Sequence, residues 1–302
     1  MAERPLLTRV GWTLRDYAKR VWDNSGEDNI FFLAGGIAFN ILLAAVPFVL
    51  LLATGLAYLL NQSADASGRE VSAMIDRLLP PSADGKPSPV SQLLIDIVKA
   101  RGSVGLYSAI GFIWFSTRLF GSLRSVLAAI FDIEQDRGIV AGKIFDIKLT
   151  IVSTFLVAAY TTLSAYLAIA TTRGVAVLSA AGLRDSVMGG LEYWAGRLVA
   201  FGVMTLMFYG LFKYLPNRRI RPITALIAAL FTSVLFEAFR NVFTAYVQSF
   251  NPGSLYTGTL AALVILVIFV YYAATIFILG GEVGQVYELR RVRRMQREAF
   301  ED

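Results

Sequence analysis

The sequence predicts an all-α integral membrane protein, a bundle of six transmembrane helices with short amphipathic helices in the first extracytoplasmic connection. Of its 302 residues, 56% are hydrophobic and only 17% are charged, whereas soluble domains carry about 25% charged residues. Six apolar segments are each long enough to supply the ~20 residues that a membrane-spanning helix needs. The chain has no cysteine and no histidine, which excludes disulfides and removes the commonest zinc ligand and the commonest general base.

Residues 1–28 form a polar N-terminal segment with an amphipathic helical pattern, which we predict to lie in the cytoplasm. Its apolar residues recur on one side, at Val10, Leu14, Tyr17 and Val21. Trp12 and Trp22 are typical of a membrane interface. No apolar run followed by a cleavage site opens the chain, so we do not expect a cleaved signal peptide.

Residues 29–288 form the predicted transmembrane domain, which contains the six apolar segments. Their approximate limits are 31–60, 104–131, 145–172, 191–215, 222–249 and 257–286. Several exceed the ~20 residues needed to cross the hydrocarbon core, so we expect tilt or extension beyond the bilayer. Pro47 lacks a backbone donor inside the first segment and is expected to kink it.

The connection between the first and second segments is the longest one, and it contains two short apolar repeats. Both have the spacing of an amphipathic helix and predict helices over 69–79 and 90–99. Prolines at 80–81, 87 and 89 separate them. Because each repeat is too short to span the membrane, we expect both helices to lie on its extracytoplasmic surface or to cap the bundle.

Lysine and arginine are distributed unequally between the two sides of the predicted bundle. Seventeen lie in the N-terminal segment, the second-to-third and fourth-to-fifth connections and the tail, against seven in the other connections. The positive-inside rule therefore places both termini in the cytoplasm. The basic tail, residues 289–302, could bind anionic lipid or nucleic acid, but a role as a topology signal already explains its charge, and we predict no nucleic-acid partner.

Glu237 and Arg240 place two charges inside the fifth apolar segment. Each would cost roughly 2.5–3.5 kcal/mol at the centre of a membrane, so both together cost about 5–7 kcal/mol. This sum nearly cancels the gain of about 3–7 kcal/mol from the apolar residues between Ile223 and Phe243. At 100° per residue, one stripe holds the polar side chains Ser233, Glu237, Arg240, Asn241, Thr244 and Gln248. Such a stripe faces the bundle interior or a wet cavity, either as a structural seam or as a solute or ion path.

Polar groups also occur in the second and sixth segments. Arg118 shares a helix face with small residues, and Arg124 lies nearer the cytoplasm, where we expect it to snorkel toward water. Glu282 is surrounded by glycines, and the spacing of Gly280 and Gly284 is that of a helix-packing motif. We therefore expect Glu237 and Arg240 to form one charged site with Arg118 or Glu282.

Asn40 is the remaining polar candidate. It lies in the first segment between two glycines and Pro47, an arrangement that recurs at transport sites but is also common without any function. The candidate solute or ion path therefore comprises Glu237, Arg240, Asn241, Arg118, Glu282 and Asn40, with Pro47 as a candidate gating kink.

Three blocks of the sequence carry a family resemblance. They are AGGIAFNILLAAVPF from Ala34, YLPNRRIRPITALIAALFTSVLFEAFRNVFTAYV from Tyr214, and the stretch from LYTGTLAALVILVIFVYY into ILGGEVGQVYE that starts at Leu255. Together they resemble the YihY / virulence factor BrkB family of bacterial inner-membrane proteins, over roughly Asn29 to Glu288. The resemblance implies a multi-pass six-helix bundle in the bacterial inner (plasma) membrane. Some members were once labelled ribonuclease BN, but a zinc-dependent nuclease needs a histidine and aspartate cluster, and this chain has no histidine.

Two functions remain open on these observations. The first is a transporter or exporter of an amphiphilic or anionic solute, lipids included, through the polar seam. No GxxxxGK[ST] motif occurs, so any pumping would use an ion gradient or a partner, with a carboxylate such as Glu237 as a candidate proton carrier. The second is a non-transporting membrane scaffold or envelope assembly factor, which predicts that the seam is packed solid.

An intramembrane enzyme is the third possibility, and the sequence does not favour it. No Ser/His pair, HExxH motif or paired-Asp constellation occurs. We therefore predict no catalytic residues, no metal site and no cofactor. The expected partners are membrane lipids and an anionic or amphiphilic solute, and the sequence is compatible with a homo-oligomer.

Overall fold

A computed structural model describes residues 6–59, 105–133, 138, 140–152, 185–250 and 259–301, and these residues form helices joined by turns. The helices are α1 (Leu6–Glu27), α2 (Ile30–Leu59), α3 (Gly105–Ile130), α4 (140–152), α5 (Asp185–Tyr214), α6 (Pro222–Phe250) and α7 (Thr259–Glu301). The predicted all-helical class is confirmed for this part of the chain. The amphipathic repeats at 69–79 and 90–99 lie outside the described residues, as does the stretch 153–172 of the third predicted segment.

Three of the helices are long and apolar enough to cross a membrane. The qualifying stretches are Ile30–Phe48, Pro222–Val247 and Leu263–Phe300. Large apolar side chains such as Phe39, Val234 and Leu263 are exposed on their outer surfaces, as expected where a helix faces lipid rather than water. The prediction of six spans is thus supported for three helices among the described residues.

Three predicted segment boundaries were wrong. The third predicted segment begins at residue 145, whereas α4 already starts at residue 140. The fourth predicted segment begins at residue 191, whereas α5 already starts at Asp185. The sixth predicted segment ends at residue 286, whereas α7 continues to Glu301. The basic residues after position 289 stop the hydrophobic pattern but are good helix formers, so the helix continues after its apolar face has ended. With 43 residues α7 is about 64 Å long, roughly twice the hydrocarbon thickness, and its C-terminal part projects beyond the apolar region.

Helix α7 is the centre of the described bundle, because it packs against α1, α2, α3 and α6. Glycines make the close approaches possible. A Cβ atom on Gly280 would lie 1.8 Å from Oγ1 of Thr232, and one on Gly284 would lie 3.1 Å from Cβ of Ala228, so both glycines of the predicted packing motif contact α6. A Cβ atom on Gly281 would lie 3.1 Å from Cδ1 of Ile130, on the α3 side.

Aromatic rings fill the interface of α5, α6 and α7 farther along the bundle. The rings of Phe212 and Phe277 stack with centroids 4.9 Å apart, and those of Phe239 and Phe269 do so at 5.6 Å. Ring pairs of this kind add about 0.5–1.5 kcal/mol each beyond the area they bury. Pro47 lies within the continuous helix α2, beside Gly111 of α3, and the kink expected there stays a prediction.

Candidate functional site

A cluster of polar side chains lies where α7 meets the α1–α2 junction and the end of α3. We call it the carboxyl site, and its members are Asn24, Asp28, Asp132, Glu282 and Gln285. Three separate parts of the chain contribute to it. Its position near the ends of α1 and α3 follows from two tight turns.

Both turns contain a non-glycine residue with positive φ, which is 50° at Asn29 and 49° at Asp132. Asn and Asp tolerate this left-handed conformation better than other residues with a side chain. After α3, the amide of Ile133 donates to the carbonyl of Ala128 at 2.8 Å and that of Asp132 to Ala129 at 3.2 Å. These two bonds form a Schellman motif, which ends α3 and leaves the Asp132 carboxylate beside α7.

Gln285 joins the three parts of the carboxyl site through its side-chain amide. Its Nε2 donates to Oδ2 of Asp132 at 2.9 Å, and its Oε1 accepts from Nδ2 of Asn24 at 3.1 Å. Only this orientation of the amide satisfies both partners, because the Asp132 carboxylate can only accept a hydrogen bond. Gln285 is itself buried. The amide therefore holds α1, α3 and α7 in a fixed arrangement around the neighbouring Glu282.

Glu282 is the member of the carboxyl site that is completely buried, with 0% of its surface exposed. Neither of its carboxyl oxygens accepts a well-formed hydrogen bond, although the carboxyl of Asp28 and the amide of Asn24 lie beside it and Asp132 lies farther away. A buried charge without a partner costs several kcal/mol. The arrangement is therefore suited to binding a positive species, which would neutralise the carboxyl group.

The contacts between α1 and α7 extend from the carboxyl site toward the basic end of α7. The Tyr17 hydroxyl donates to the carbonyl of Val283, and Arg290 both donates to Asp16 and lies over the Tyr17 ring. Burial raises the pKa of Tyr17 to about 12, so the phenol keeps its proton as a donor. Partial desolvation acts to raise the pKa of Asp16, but hydrogen bonds from Arg290 and Arg20 outweigh it, and the pKa of that carboxyl is lowered. Ionised Asp16 thus helps to hold α1 against α7.

Arg124 was expected to snorkel toward water, and that expectation was wrong. The residue is only 8% exposed, and its Nη1 donates to Oδ1 of Asp146 on α4 at 2.8 Å. Gly142 permits this approach, because a Cβ atom there would lie 3.0 Å from Nη2 of Arg124. Sequence reasoning missed Asp146. The signal was available, since a carboxylate at the start of an apolar segment needs a cationic partner.

Glu237 and Arg240 pair with each other on α6, as their spacing of three residues allows. Nη2 of Arg240 lies 3.0 Å from Oε1 of Glu237, and both side chains are partly exposed. Thr232 lies opposite Gly280, and Glu237 lies five residues farther from the carboxyl site, about 7.5 Å along the helix axis. The structure therefore places Glu282 with Asp28 and apart from the pair on α6.

The remaining predicted path residues lie apart from the carboxyl site as well. Arg118 is exposed on α3, and Asn241 is exposed on α6. The side-chain amide of Asn40 donates to the carbonyl of Gly36, one turn earlier in α2, at 2.9 Å. Ser233 of the polar stripe is fully buried. Of the predicted set, only Glu282 belongs to the carboxyl site, and a role of the others in a solute path stays a prediction.

Comparison with known proteins gives relatives over nearly the whole chain. The UPF0761 membrane protein of Alteromonas mediterranea is 25% identical over 275 residues, which is 90% of this chain and 88% of that protein. That of Psychromonas ingrahamii is 27% identical over 274 residues, with 90% and 87% covered. The putative ribonuclease-like protein YfkH of Bacillus subtilis is 22% identical over 255 residues, with 84% and 89% covered.

The family comparison covers the same region. No solved structure matches the chain. The model of the virulence factor BrkB family matches residues 21–301, which include all five members of the carboxyl site. Together with the long apolar helices, this match shows that the chain belongs to the virulence factor BrkB family of membrane proteins.

Proposed function

We propose that this protein is an ion-coupled transporter of the bacterial inner membrane that moves an anionic or amphiphilic solute across the bundle. The observation that carries the proposal is the buried carboxyl group of Glu282, whose two oxygens accept no well-formed hydrogen bond and which has no cationic partner among its described neighbours. Ionisable groups inside membrane proteins usually mark ion or substrate pathways, because burying them for stability alone is unfavourable.

The position of the carboxyl site supports a role in coupling rather than in solute recognition. Its acidic groups would repel an anionic solute but would attract a cation. Solute contacts would then come from the polar stripe on α6, where Glu237 and Arg240 are partly exposed. No GxxxxGK[ST] motif is present in the sequence, so the proposal relies on an ion gradient for energy.

The distribution of charge supports a cytoplasmic position for the end of the bundle that carries the site. Arg221, before α6, lies 3.6 Å from Glu288 on α7, and Arg290 of α7 contacts Asp16 of α1. The basic N-terminal segment, the basic turn before α6 and the basic tail therefore lie at one end of the described bundle. Under the positive-inside rule this end faces the cytoplasm, and both termini with it.

The test is solute uptake by purified protein in liposomes that contain the pH dye pyranine. Radiolabelled sulfate and hexyl sulfate serve as the small and the amphiphilic anion, since neither carries a proton across the membrane by itself. We expect one probe to enter faster than into protein-free liposomes and to do so with a change of internal pH or a dependence on external Na⁺. Glu282→Gln should abolish the coupling, whereas Glu237→Gln should slow solute entry. Entry at the protein-free rate for both probes would contradict the proposal.

A further inference from the structure

We infer that the carboxyl site binds a single proton, shared between the side chains of Glu282 and Asp28, and that this proton is the coupling ion. The inference rests on the proposed transport function and names its ion.

The hydrogen-bond donors near Glu282 make well-formed bonds to other acceptors. The Asn24 amide donates to Gln285, the Gln285 amide donates to Asp132, and the Tyr17 hydroxyl donates to a backbone carbonyl. Glu282 itself is left with two buried oxygens that accept no well-formed hydrogen bond. Two neighbouring carboxyl groups can form a hydrogen bond with each other only when one of them carries a proton.

The charged groups that face Glu282 are both negative. Asp28 approaches from the α1–α2 junction, and Asp132 approaches from the end of α3. On the α6 side, the residues against the α7 glycines are Thr224, Ala228 and Thr232, none of which is charged. Arginines on α3 and on α7 itself bind other carboxylates, as Arg124 does with Asp146 and Arg290 with Asp16. These negative charges repel one another, and a bound proton removes one of them.

A proton fits this geometry better than a metal ion does. Among the described residues, no group of three or more Asp or Glu side chains is arranged so that it could hold a metal ion. A shared proton needs only two oxygens, and an O–H···O⁻ bond between a carboxylic acid and a carboxylate is short and strong. On binding, one proton from the aqueous phase attaches to a carboxyl oxygen of Glu282, which then donates to Asp28; on release, two carboxylates remain.

The exchange of this proton would also affect the contact between helices. Asp28 lies in the junction between α1 and α2, whereas Glu282 lies on α7. With the proton bound, the two side chains attract each other across that junction; without it, they repel. Asp132 is exposed and Asp28 half-buried, so a proton can reach Glu282 from the aqueous side at this end of the bundle.

The test is infrared spectroscopy of the purified full-length protein in lipid nanodiscs. A protonated carboxylic acid absorbs at a C=O stretching frequency that is distinct from those of carboxylates and amides. We expect the wild-type protein to show this band at neutral pH and to lose it as the pH rises. Glu282→Gln should lack the band at neutral pH, whereas the matched control Glu288→Gln should keep it, because Glu288 lies on the same helix as Glu282 but pairs with Arg221. Circular dichroism and gel filtration check that each variant is folded.

Asp28→Asn tests whether the proton is shared. The new amide would donate to Glu282, so the carboxylate would no longer need a proton and the band should disappear at neutral pH. An unchanged band in Asp28→Asn, or no band in the wild-type protein, would overturn the inference. If the band is absent and uptake into the liposomes occurs with NaCl but not with choline chloride, the coupling ion is not a proton, and ion-coupled transport is still supported. If the band is present and neither probe enters the liposomes, the proton site is supported, but the proposed transport of these anions is contradicted.

Discussion

At the scale of single residues, burial decides what an ion pair does for the fold. The side chains of Arg124 and Asp146 are 10% and 2% exposed, whereas those of Arg294 and Glu298 in the α7 tail are 83% and 65% exposed. Both pairs have N–O distances of 3.3 Å or less. Removing one partner from a buried pair leaves an uncompensated charge in an apolar environment, whereas water solvates the charge that remains when one partner of an exposed pair is removed.

We therefore expect Arg124→Leu to destabilise the protein by about 3–5 kcal/mol, and Arg294→Leu by at most about 1 kcal/mol. The double variant Arg124→Leu with Asp146→Leu should recover much of the lost stability, because both charges of the pair are then removed together. Denaturant unfolding of the purified variants, followed by circular dichroism, measures these differences. Equal stability of the two single variants would show that the pair between α3 and α4 is not held in a buried environment.

At the scale of helices, the glycines of α7 allow the central helix to contact its neighbours at short range. In a membrane, helix association depends on close packing more than on the hydrophobic effect, since lipid chains are as apolar as the side chains. Gly280, Gly281 and Gly284 place the backbone of α7 directly against side chains of α3 and α6. Glu282 lies among these glycines, so the same close packing excludes water from its carboxyl group.

Gly280→Ala should be destabilising by about 1–3 kcal/mol, because its Cβ would overlap Oγ1 of Thr232 and approach two further atoms of α6 within 3.2 Å. Gly210→Ala is the matched control. A Cβ there would meet no atom within 4 Å, and alanine should stabilise α5 by about 0.5–1 kcal/mol through helix propensity. Adding Thr232→Ala to Gly280→Ala should restore part of the loss. Thermal unfolding in detergent compares the three variants. Equal effects of Gly280→Ala and Gly210→Ala would contradict the close packing at Gly280.

At the scale of the whole molecule, the basic segments define one end of the bundle, and the predicted orientation assigns this end to the cytoplasm. The exposed α7 tail is part of it, while position 84 falls in the first predicted extracytoplasmic connection. The two positions should therefore lie on opposite sides of the membrane.

Single cysteines test this orientation cleanly, because the native chain contains none. In intact cells with a permeabilised outer membrane, a membrane-impermeant maleimide should label Asp84→Cys but not Gln296→Cys. After the inner membrane is opened, both should react. Labelling of position 84 only from the cytoplasmic side would show that the orientation is reversed, and labelling of both positions in intact cells would rule out an odd number of spans between them.

Local patterns in the sequence were sufficient to predict part of the fold. The limits of α2, α3 and α6 agree with the predicted apolar segments to within one residue, because hydrophobic periodicity and helix breakers are properties of neighbouring residues. The pairing of Glu237 with Arg240 and the contact of the glycines at 280 and 284 with another helix were also predictable, since both depend on spacings of three or four residues within one helix.

Only the tertiary structure decided which distant residues meet. Asp146 lies 22 residues from Arg124, Asp132 lies 153 residues from Gln285, and Asn24 lies 261 residues from Gln285. Helical periodicity assigns a residue to a face of its own helix, but it does not determine which helix packs on that face or at what height. The sequence thus determined that Glu282 is a charge inside an apolar helix, while the packing of α1, α3 and α7 decided that its neighbours are two other carboxyl groups, because the relative positions of helices depend on contacts summed over the whole bundle.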